Sequence, residues 1–72
     1  MNKETVEHID TLIEADDNKQ KVTIHFEKDK LFVSVYGEID ILTPHYVVIR
    51  NQTSGKDYFH FILHTQIHEV CT

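Results

Sequence analysis

The chain has one cysteine, one proline, two glycines and no tryptophan in 72 residues. A single cysteine leaves no partner for an intrachain disulfide, and a reducing, cytoplasmic setting is expected. No apolar run approaches the ~20 residues that a membrane-crossing helix needs. The charged, polar N-terminus predicts no signal peptide. With so little Gly and Pro, and no repeat or low-complexity tract, a single domain over residues 1–72 is expected. A domain of this length has a barely sufficient core and often gains stability from self-association or a partner, so a homo-oligomer is an open expectation.

A basic surplus is missing too. The net charge is −5, and residues 1–17 carry all of it through Glu4, Glu7, Asp10, Glu14, Asp16 and Asp17 against Lys3 alone. The remainder of the chain is balanced. Nucleic-acid binders draw most of their affinity from neutralised phosphates, so simple nucleic-acid binding is disfavoured. Familiar catalytic patterns are also absent: there is no G-x-S-x-G, no phosphate-cradling glycine loop and no paired-carboxylate arrangement. Asp16-Asp17 reads as a helix-ending turn. The chain is expected to be non-enzymatic and without a cofactor.

What is present is periodicity. Val6, Ile9, Leu12 and Ile13 form one stripe in "ETVEHIDTLIEA", predicting a helix over about 4–15, with Glu4 and Glu7 favoured at its positive end. From Lys21 the period falls to two. Val22, Ile24 and Phe26 alternate with Thr23, His25 and Glu27, predicting a strand at about 21–27. After the polar turn, Leu31, Val33, Val35, Ile39 and Ile41 alternate with Phe32, Ser34, Tyr36, Glu38 and Asp40, predicting a second at 31–41. Gly37 breaks that strand on its apolar face, which suggests a bulge or sharp bend. "TP" turns the chain into a third strand at 45–51, and "QTSGKD" makes the next loop.

Residues 58–70 fit two patterns. As a helix, Phe59, Ile62, Leu63, Ile67 and Val70 make a stripe; as strands, 58–64 and 66–70 are aromatic and β-branched, with a short kink between. Strands are preferred, because three strands alone leave one apolar face uncovered. The predicted fold is therefore mainly β: a small five-stranded, strongly bent antiparallel barrel of the Sm or SH3 kind with an N-terminal α-helix.

The stretch "VTIHFEKDKLFVSVYGEIDILTPHYVVI" resembles the YolD-like family of small proteins from Gram-positive bacteria and their phages. Val22-Thr23-Ile24, Phe26, Lys28-Asp29, Gly37-Glu38-Ile39, Pro44, Ile49, Ile67 and Val70 occupy its pattern positions. Lys30 stands where the family usually has Gly, and Thr43 replaces the aspartate before Pro44. The resemblance implies an accessory protein linked to a Y-family translesion polymerase and the DNA-damage response. In element order the chain is also similar to Sm-like RNA-binding proteins, but "LTPHY" lacks their Asn-bearing turn, so no RNA site is carried over.

Three candidate sites remain. If 58–70 is helical, His60, His64 and His68 stack with Cys71 close behind, a possible zinc set; as strand, His60 and His64 lie about 13 Å apart and cannot share an ion. The expectation is no metal, with His60, His64, His68 and Cys71 as the alternative ligands. Cys71 as a nucleophile lacks a neighbouring base in the pattern. Phe32 and Tyr36, with His45 and Tyr46 at the turn, make a candidate recognition patch, although both faces of a bent barrel strand are often core. An interaction protein is thus expected, and the YolD-like resemblance implies a Y-family polymerase as its partner. The alternatives are an Sm-like RNA- or ssDNA-binding oligomer and a phage-encoded inhibitor of a host defence enzyme.

Overall fold

The computed structural model describes residues 3–72, with side chains from Val6 onward. Helix α1 spans Lys3–Asp17, followed by strands β1 (Val22–Lys28), β2 (Leu31–Leu42), β3 (Tyr46–Thr53), β4 (Lys56–Leu63) and β5 (Ile67–Cys71). A three-residue 3₁₀ turn, His64–Gln66, links β4 to β5. The helical alternative for 58–70 is thereby excluded, and the elements run a few residues beyond their predicted bounds at several ends.

Helix α1 is held by two buried residues, Leu12 and Ala15, while Val6 and Ile13 of the predicted stripe are nearly half exposed. The Glu4 side chain lies outside the described residues. The helix ends in a Schellman arrangement: the Gln20 N–H bonds to the Ala15 carbonyl (2.8 Å) and the Lys19 N–H to that of Asp16 (3.1 Å). Lys19 takes the left-handed conformation usually given to glycine, at φ 54°.

All five strands form one antiparallel sheet in the order β4-β3-β2-β1-β5. The first half of β2 pairs with β1 (Val22 opposite Gly37, Lys28 opposite Leu31) and its second half with β3 (Glu38 opposite Arg50). Gly37 is the corner between these halves. A Cβ there would sit 2.3 Å from the Arg50 carbonyl oxygen. Asn51 closes the corner by donating from Nδ2 to the Tyr36 carbonyl (2.6 Å). The bend wraps the inner faces around a core of Leu12, Ala15, Val22, Ile24, Phe26, Val35, Val47, Ile49, Ile62 and Ile67.

The predicted barrel does not close. β4 and β5 are the two ends of the strand order and do not pair with each other. Ladder pairing of β5 with β1 stops at Phe26 opposite Ile67, leaving Glu27 and Lys28 without a ladder partner on that side. The first half of β4 is uncovered too, although it pairs with β3 throughout: only His60 and Ile62 in that strand are at least partly buried. The β1–β2 hairpin consequently projects past the core, and Leu31 and Val33, read as inward, are exposed. Ile41 is displaced for another reason: the register skips Asp40, a bulge that moves Ile41 to the outer face opposite Val48.

The β1–β2 turn places Asp29 (φ 53°) and Lys30 (φ 65°) in the left-handed region, as a two-residue hairpin demands. Lys30 carries a Cβ strain that glycine would not. Lys30→Gly is expected to raise stability by up to about 1 kcal/mol, the released strain being partly offset by unfolded-chain entropy. A thermal melt checks this, and a lower melting temperature would contradict it.

Candidate functional site

Two surfaces carry chemistry beyond the core. One is the seam left by the unclosed sheet. Phe26, Lys28 and Val33 on one side and Phe59, His60 and Phe61 on the other line an open cleft of about 430 Å³. Beside it lie exposed apolar side chains, Leu31 at 66 %, and Phe59 and Phe61 above half, whereas Phe32, 76 % exposed, points to the opposite face of β2. Contiguous exposed apolar patches of this kind mark interaction surfaces. The cleft follows β4, an edge strand with unpaired backbone donors and acceptors along its outer side.

Strand alternation explains how β4 comes to present so much apolar surface. Val47 opposite Ile62 lies inside, whereas Tyr46 opposite Leu63, Val48 opposite Phe61 and Arg50 opposite Phe59 lie outside. The Tyr46 and Phe61 rings stack with centroids 4.6 Å apart. Arg50 reaches across to pair with Glu38, whose hydrogen bond and charge raise the guanidinium above its ordinary value.

The second surface is the outer face of β1, β2 and β5. His25 hydrogen-bonds through Nδ1 to Ser34 Oγ at 2.6 Å. The strand register sets Glu69 opposite His25 and Cys71 opposite Thr23. A ring nitrogen of His25, a Glu69 carboxylate oxygen and Cys71 Sγ all lie within 4.8 Å of one another. Partial desolvation pushes the Cys71 thiol above its ordinary value, and the charge and hydrogen bond of Glu69 add to the rise. A thiol kept protonated is a poor nucleophile. Beside this group, the His68 ring packs at a 50° tilt against Phe32 with centroids 5.1 Å apart and lies 3.9 Å from the Glu27 carboxylate.

The candidate residues from the sequence are distributed over both surfaces. Phe32 and Tyr36 are exposed, so neither is core; Tyr36 has the Lys21 ammonium 5.9 Å from its ring centre. They sit on the β1-facing half of β2, while Tyr46 sits on β3 against Phe61. His45 is exposed at the turn, where its N–H and that of Tyr46 both bond to Thr43 Oγ1 (3.2 and 3.0 Å). Thr43 thus serves the turn as an aspartate would.

The ligand set His60, His64, His68 and Cys71 is not assembled. His64 is 2 % exposed, and its Nε2 donates to the Thr43 carbonyl at 2.7 Å. Its backbone N–H bonds to the His45 carbonyl at 3.1 Å. His64 therefore pins the β4–β5 corner to the β2–β3 turn. Among the described residues, the side chains that do converge with metal-ligand chemistry are His25, Glu69 and Cys71. Sequence reading missed this group because its members lie on strands at opposite ends of the β region. It missed the Phe59–Phe61 surface because "YFHFILH" is apolar on both faces of its alternation.

Comparison with protein-family models, curated proteins and solved structures finds no match for this chain.

Proposed function

We propose that this protein is a non-enzymatic interaction module that captures an extended segment of a partner protein along the free edge of β4. The observation that carries this reading is the open apolar cleft beside an unpaired strand edge, lined by Phe26, Val33, Phe59 and Phe61. A strand added there gains backbone hydrogen bonds from β4 and places alternate side chains against the cleft. The aromatic content suits an interface anchor. An acidic helix and a balanced remainder offer no basic face, which weighs against RNA or single-stranded DNA.

The resemblance to YolD-like proteins supplies the partner: a Y-family translesion polymerase in the cytoplasm of a bacterium or of a phage-infected cell. The test is binding of a purified Y-family polymerase to the wild type and to Phe59→Lys and Phe61→Lys variants. Both positions are more than half exposed, so the variants should keep the wild-type circular dichroism. Binding is expected to weaken by roughly 30-fold or more, the scale of an interface hot spot. Equal binding by all three proteins would remove β4 from the reading; no binding by the wild type would remove the polymerase.

A further inference from the structure

We propose that His25, Glu69 and Cys71 form a binding site for a divalent metal ion of the zinc class on the outer face of the β1–β5 ladder. Imidazole, carboxylate and thiolate are the three side-chain donors that zinc accepts. Donor atoms around one tetrahedral zinc lie roughly 3.5 Å apart, given bonds of about 2.0–2.3 Å. The three groups here already lie within 4.8 Å of one another without an ion. Glu69 and Cys71 are exposed and His25 is only partly covered, so small side-chain rotations complete the approach.

The backbone makes the convergence a product of pairing rather than of chance side-chain wandering. Glu69 and Cys71 are two apart on β5 and share a face, and the ladder sets His25 directly opposite Glu69. The His25 ring has an orienting partner of the kind metal-bound histidines use: Ser34 Oγ engages Nδ1 at 2.6 Å, leaving Nε2 as the free nitrogen. Three protein donors leave a fourth position for water or an outside group, the pattern of an open rather than a closed site. On binding, the ion forms a bond to Cys71 sulfur and the thiol proton is released to solvent. The bound ion would tie the last strand to β1.

Cobalt(II) reports this site, because a cobalt–thiolate bond produces a sulfur-to-metal charge-transfer band. Reduced, metal-free protein titrated with cobalt(II) is expected to show that band at one ion per chain, and zinc is expected to abolish it by displacement. Cys71→Ser should eliminate the band. His25→Ala and His25→Gln should each weaken binding by about tenfold or more, as should Glu69→Gln, and Ser34→Ala should weaken it through loss of orientation. Zinc should also raise the melting temperature of the wild type but not of Cys71→Ser, a readout that tests the tie between strands. Absence of the band at saturating cobalt overturns the proposal. So does a band unaffected by both His25 variants, or one ion shared between the sulfurs of two chains in sedimentation.

Discussion

Gly37→Ala is expected to lower the melting temperature by roughly 12–24 °C, corresponding to a loss of about 3 kcal/mol or more. The whole stability of a domain this size is about 4–11 kcal/mol, so one methyl group would remove a large share. The cause is contact rather than backbone freedom. The added Cβ meets the Arg50 carbonyl oxygen at 2.3 Å and the Ile49 side chain at 3.0 Å. A carbonyl cannot rotate away as a flexible side chain can, so β2 and β3 must separate at the corner where both halves of the sheet meet. Gly55 is the internal control. It has φ 78° but nothing within 4 Å of an added Cβ. Gly55→Ala should therefore cost only about 1 kcal/mol, the penalty of left-handed backbone. Thermal melts of the two variants compare steric with conformational cost; a Gly37→Ala drop no larger than that of Gly55→Ala would refute the close-packed corner.

Leu12→Ala is expected to cost about 3 kcal/mol and to release α1 together with the sheet rather than alone. Leu12 is fully buried and, with Ala15, is the helix's contribution to the core. A free helix of 15 residues is marginal in water, so its order depends on docking. The helix in turn covers the inner face near β2, β5 and the 3₁₀ turn, where the unclosed sheet has no strand to do so. Circular dichroism at helical and strand wavelengths should lose signal in one transition at a lower temperature. Ile13→Ala, one position along but 46 % exposed, should change stability by less than about 1 kcal/mol. If the two variants melt alike, the orientation of the helix on the sheet is wrong.

Much of the strand layout was legible in the residues. Val22, Ile24 and Phe26 alternate cleanly, and all three are buried. Gly37 sits at the bend its position suggested, and "TP" and "SG" mark the turns. The site was legible only in part. Phe32 and Tyr36 could be named from the pattern, but whether they were core or surface depended on how far the sheet wraps. Phe59 and Phe61 share a strand with Ile62, and sequence parity alone cannot say which set turns inward. His64 drew notice as a metal ligand, whereas the fold buries it as a corner pin bonded to Thr43.

Sequence alone therefore determined the elements as far as the third strand: a helix, three strands, their turns and the one residue small enough for the corner, while residues 58–70 fitted helix and strands alike until the fold made them β4 and β5. Those properties are local, set by the period of side chains along a few residues and by the backbone freedom of glycine and the turn formers. Tertiary structure alone decided the open seam beside β4, the outward aromatic face and the meeting of His25 with Glu69 and Cys71. These depend on which distant strands pair, in what register, and where pairing stops. A two-residue alternation carries no record of that choice, because it describes both faces of a strand and names neither as the inside.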